Sequence, residues 1–88
     1  MDAQVPVKFQ YFDPTAKEVC VAGSFNQWSQ RSHCMSEKEG LWSLSVPLTP
    51  GRYQYVLVID GKSWRPDPGA ILSEDNGFDG KNSVLIVE

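Results

Sequence analysis

Apolar residues in this chain recur at every second position, and no segment keeps the i, i+3, i+4, i+7 spacing of a helix face. In "VPVKFQYF" (5–12), Val5, Val7, Phe9 and Tyr11 fall on one side. In "GLWSLSVPL" (40–48), Trp42, Leu44, Val46 and Leu48 share one face, with Ser43 and Ser45 on the other. Such alternation is the mark of a half-buried strand. "EVCVAG" (18–23), "YQYVLVID" (53–60) and "NSVLIVE" (82–88) are further β-branched runs. "DPTAK" (13–17), "TPGR" (49–52) and Asp60-Gly61 punctuate them as turns. Six or seven short strands at this spacing predict an all-β fold, an immunoglobulin-like β-sandwich of about seven antiparallel strands. With 88 residues the chain suffices for one small domain, 1–88. Pro50-Gly51 reads as the centre of a type II turn, and predicts that 40–48 and 53–60 pair as a hairpin.

Charge narrows the partners. Eight Lys and Arg against eleven Asp and Glu give a net charge of -3, and the basic residues are scattered. A nucleic-acid module shows a basic patch, so no nucleic-acid partner is expected, and no anionic membrane. No apolar run approaches the ~20 residues of a membrane-spanning helix. "MDAQVPVKF" lacks the basic and apolar regions of a secretory leader. Cys20 and Cys34 are too few for a disulfide framework and read as two free thiols. Together these predict a cytoplasmic protein. No His or Cys cluster has metal-ligand spacing, His33 stands alone, and no cofactor is expected. Asp60, Asp67, Glu74, Asp75 and Asp79 fall mostly in turns, where short acids serve the backbone. They do not suggest the facing carboxylates of a glycoside hydrolase, and the chain does not read as an enzyme.

Tryptophan placement is more telling. Trp42 keeps register with three aliphatic residues and belongs to the core. Trp28, in "SFNQWSQ" (24–30), lies among polar residues in a loop. The direction of Trp64, in "DGKSWRPDP", depends on the length of the turn at Asp60-Gly61, because a one-residue slip exchanges faces. A two-residue loop pairs Leu57 with Trp64 and sends the indole inward. A three-residue loop puts it on the outer face with Val56 and Val58. The second arrangement suits a core face already rich in aromatics and the two prolines of "RPDP". The expectation is then an open apolar patch with two indoles, rimmed by the amides Asn26, Gln27, Gln54 and Asn82. Indole faces stack on the C–H faces of a pyranose, and amides both donate to and accept from hydroxyls.

"KEVCVAGSFNQW", "GLWSLSVPLTPGRYQYVLVIDGKSW" and the following "DP" resemble carbohydrate-binding module family 48. These are the early-set modules of the AMP-activated protein kinase β subunit and of isoamylases and glycogen-branching enzymes. The resemblance runs from about residue 5 to residue 87. It implies non-catalytic binding of α-1,4-linked glucans (glycogen, starch or maltooligosaccharides) and a fused or associated glycogen-metabolising enzyme or kinase as partner. It implies that Trp28 and Trp64 stack on glucose rings and that Asn82 is a sugar contact. It matches Phe78 loosely to a leucine that pushes into the helical glucan. A lysine of the kinase-type modules falls at Val56, and a threonine at Gly80. The lysine's absence predicts that Val56 packs on sugar without donating to it. The alternative is a docking domain with weak or no sugar binding, anchored by Phe78.

Overall fold

The computed structural model describes residues 3–75, 77 and 80–88. Eight strands are seen among them: β1 Val5–Phe12, β2 Val19–Gly23, β3 Ser36–Lys38, β4 Leu41–Leu48, β5 Gly51–Ile59, β6 Ser63–Arg65, β7 Leu72–Asp75 and β8 Lys81–Val87. They form two antiparallel sheets, one ordered β1-β4-β3 and one ordered β2-β5-β8-β7, with β6 on β5. The all-β sandwich expected from the alternation is therefore present. The sequence reading passed over β3 ("SEK") and β7 ("LSED"), whose residues are all exposed and carry no apolar period.

The two sheets face each other across one core. Phe9, Trp42, Val46 and Leu48 come from the first sheet. Val19, Val21, Tyr55, Leu57, Ile59 and Val87 come from the second. Trp42 is 6% exposed, and its indole N–H donates to the carbonyl of Asp13 at 2.9 Å. The core reading of Trp42 holds.

The hairpin expected at Pro50-Gly51 is not formed. β4 and β5 lie in different sheets, so this turn carries the chain from one layer to the other. Gly51 has φ 157° and pairs with Val87 at the start of β5, instead of sitting at the centre of a type II turn. The physical reason lies in the faces. A hairpin would align the apolar faces of β4 and β5 side by side. The crossing turns them toward each other, so that each covers the other. Thr49 secures the corner, its carbonyl accepting from the Tyr53 hydroxyl at 2.6 Å.

The turn at Asp60-Gly61 forms as the outward reading of Trp64 required. Ile59 pairs with Ser63 and Val58 with Trp64, leaving a three-residue loop, 60–62. Asp60 (φ 55°) and Gly61 (φ 68°) are both left-handed. The Asp60 carboxylate accepts the N–H groups of Lys17 (2.7 Å) and Glu18 (3.0 Å), which ties the loop to the entry of β2.

The two cysteines are not free thiols. Cys20 and Cys34 form a disulfide across an isolated antiparallel bridge. Residues 33–35 run back along β2, with Val21 N–H donating to His33 O and Met35 N–H to Val19 O, both at 2.8 Å. Spacing alone does not reveal this, because the chain must first turn back after Trp28 to bring the sulfurs together. The thiol argument for a reducing compartment falls with it.

Candidate functional site

Strand parity defines the outer face of the larger sheet. Leu57 and Ile59 of β5 point into the core, so Arg52, Gln54, Val56 and Val58 point away from it. Register then builds a row: Cys34 beside Cys20, Cys20 beside Val58, Val58 beside Trp64. The neighbouring pair is Ala22 and Val56. Trp64 is 45% exposed, on the same face as Val56 and Val58.

The valines do not form the open patch expected from the sequence. Val56 is 5% and Val58 1% exposed, and with Ala22 they make a small cluster apart from the main core. They are a covered floor, with the disulfide on one side of Val58 and Trp64 on the other. A lysine at position 56 would not replace an open valine.

Trp28 is set by its loop. Gly23 ends β2, and its carbonyl accepts from both Asn26 N–H (3.1 Å) and Trp28 N–H (2.9 Å). Gln27 (φ 57°) and Trp28 (φ 59°) are consecutive left-handed residues, a costly conformation for side chains with a Cβ. Asn26 holds them there. Its Oδ1 accepts from Gly23 N–H at 3.0 Å, and its Nδ2 donates to Val21 O at 2.9 Å and lies 3.0 Å from His33 Nδ1. The Asn26 amide is thus bonded into the loop that carries Trp28. His33 also meets Phe25 edge-on, at 5.4 Å between ring centres. Trp28 is left 37% exposed.

A polar row continues the face beyond Val56. Asn82 Nδ2 donates to Gln54 Oε1 at 3.0 Å, and Gln54 Nε2 donates to Glu74 Oε2 at 2.9 Å. Arg52 closes an ion pair with Glu74. The structure so brings together two of the predicted amides, Gln54 and Asn82. Phe78 lies outside the described residues. Glu74 and Arg52 were missed from sequence; the partner that would have drawn attention to Glu74 is twenty-two positions away.

Other clustered groups are structural. The Glu18 carboxylate lies within 4.8 Å of both cysteine sulfurs, but these are bonded to each other and are not thiolate ligands. Asp67 accepts from the Tyr55 hydroxyl at 2.6 Å, and its own N–H donates to Ser83 Oγ at 2.8 Å. Burial, and then this carboxylate, push the Tyr55 phenol well above its usual range. Asp67 and Tyr55 also line a cleft of about 460 Å³ between β1 and β8, where Ile71 stands 96% exposed.

A family model described as the glycogen recognition site of AMP-activated protein kinase matches residues 5–88. The chain belongs to this family. The family is described as one of glycogen recognition. The chain is 34% identical over 73 residues to Protein PTST homolog 2, chloroplastic, of Arabidopsis thaliana, with 83% of the chain and 13% of that protein covered. It is 38% identical over 72 residues to Protein FLOURY ENDOSPERM 6, chloroplastic, of rice (82% and 13%). It is 34% identical over 74 residues to the 1,4-alpha-glucan branching enzyme GlgB of Bacillus cereus (77% and 12%). The module thus spans about an eighth of each of these proteins.

Proposed function

We propose that this module binds α-1,4-linked glucans, such as glycogen, starch or maltooligosaccharides, by stacking Trp28 and Trp64 on glucose rings. The observation that carries the reading is the outward register of Trp64. An indole is left 45% exposed on the face that also presents the Gln54 and Asn82 amides. A pyranose offers weakly polarised C–H groups to such a ring and hydroxyls to such amides. Val56 forms part of the floor beneath the track, and Phe78, outside the described residues, is kept as a proposed contact on the family resemblance alone. The membership of a glycogen-recognition family supports the same ligand class. Native electrophoresis in gels containing soluble glycogen tests it. Wild type should be retarded, and Trp28→Ala and Trp64→Ala should migrate freely. Unretarded wild type would overturn the reading.

A second reading has the module docking on a fused or associated glycogen-metabolising enzyme or kinase. The exposed Ile71, Leu72 and Ile86 beside the β1–β8 cleft favour it. It predicts no retardation by glycogen.

A further inference from the structure

We propose that Glu74 is a positioning residue for Asn82, fixing which atom of that amide faces the sugar. The proposal rests on the glucan-binding reading above. Glu74 lies directly opposite Asn82 in the β7–β8 register, on the outer face of the sheet. Its two carboxylate oxygens are both engaged, one with Arg52 and the other with Gln54 Nε2 at 2.9 Å.

An amide side chain has a donor end and an acceptor end of nearly equal shape, so an isolated Asn presents either. An ionised carboxylate only accepts. Gln54 must therefore turn its NH2 toward Glu74, which leaves its Oε1 toward Asn82. That oxygen also only accepts, so Asn82 must turn its NH2 toward Gln54, as the 3.0 Å contact shows. Asn82 Oδ1 is then left as an acceptor away from the row. Polarity passes from one charge through two neutral amides. A glucose hydroxyl meeting Asn82 Oδ1 must donate to it. The Arg52 guanidinium holds the carboxylate that begins the chain. A row of this kind discriminates by hydroxyl orientation, which apolar stacking on Trp28 and Trp64 does poorly.

The test pairs maltoheptaose titration calorimetry with the side-chain amide NMR signals of Asn82 and Gln54. Glu74→Ala should weaken maltoheptaose binding about five- to tenfold, the size of one neutral hydrogen bond. It should also shift the Asn82 side-chain amide signals. Glu74→Gln keeps the shape but not the polarity, and should lose nearly as much. Asn82→Ala should remove the effect: in that background Glu74→Ala should cost no further affinity, because Glu74 acts through Asn82. Equal losses in both backgrounds would overturn the proposal, as would unmoved Asn82 amide signals in Glu74→Ala. Should wild type fail to bind maltoheptaose, the glucan reading falls, and the amide signals still decide whether Glu74 orients Asn82.

Discussion

Trp64 stands directly across the strand pair from Val58, which turns its indole away from the core that Leu57 and Ile59 help to fill. The three tryptophans therefore divide into two classes. On titration with maltoheptaose, the indole N–H signals of Trp28 and Trp64 should move, while that of Trp42 stays nearly still. A largest shift at Trp42 would contradict the face assignment. Trp42→Ala should instead lower stability by about 3–5 kcal/mol, as a large core truncation does.

The disulfide sets a thiol count. Denatured, unreduced protein should show no thiol reactive toward Ellman's reagent, and two after reduction. The bridge closes a loop with a sequence separation of 14. Restricting the unfolded chain over such a loop contributes about 3 kcal/mol. The Cys20→Ser, Cys34→Ser double variant should unfold at correspondingly lower urea. Two reactive thiols before reduction would refute the bridge.

Gly23 has no room for a side chain. An added Cβ would lie 2.6 Å from the Gln54 carbonyl oxygen and 2.9 Å from Tyr55 Cβ. The first of these is backbone in the neighbouring strand and cannot swing aside. Gly23→Ala should destabilise by about 1–3 kcal/mol, the range for an overpacked site. It should also weaken glucan binding, because the loop that carries Trp28 leaves from this residue. An unchanged urea midpoint would show that β2 and β5 separate more easily than their register implies.

Tyr55 predicts an alkaline limit. Its phenol is held above the usual value of about 10 by burial and by the Asp67 carboxylate. The unfolded chain loses this proton from about pH 10 while the native protein keeps it. The native state then binds more protons, so stability falls as pH rises. The contribution is fully present below pH 10. Tyr55→Phe should be less stable near pH 7, having lost the 2.6 Å bond to Asp67. The gap between the two proteins should narrow when urea unfolding is repeated at pH 11. A constant gap would mean that this phenol titrates alike in both states.

Local patterns were legible in the sequence, and long-range pairings were not. Alternation gave the faces of β1, β4 and β5, and the length of the Asp60-Gly61 turn decided where Trp64 points, because both depend on neighbours in the chain. Pro50-Gly51 carries a turn signal but does not say whether the turn joins two strands of one sheet or, as here, two layers. The disulfide was hidden because "RSHCM" has no strand pattern of its own and becomes extended only against β2. Parity put Val56 on the correct side, but parity carries no information on what lies above a residue. That the Asn26 amide bonds the loop backbone was not legible either, because loop amides have the same composition whether they face solvent or hold the backbone.

The two left-handed residues at Gln27 and Trp28 bear on the cost of recognition. A tryptophan on a freely moving loop must surrender backbone freedom each time it meets a sugar, and that loss subtracts from affinity. Here Asn26 has already fixed the backbone in a conformation it would otherwise avoid. On the proposed reading, the expense of ordering is met once, during folding, and is not charged again at each encounter. Such a platform can capture and release a flexible polymer repeatedly, ring by ring, without rebuilding itself in between.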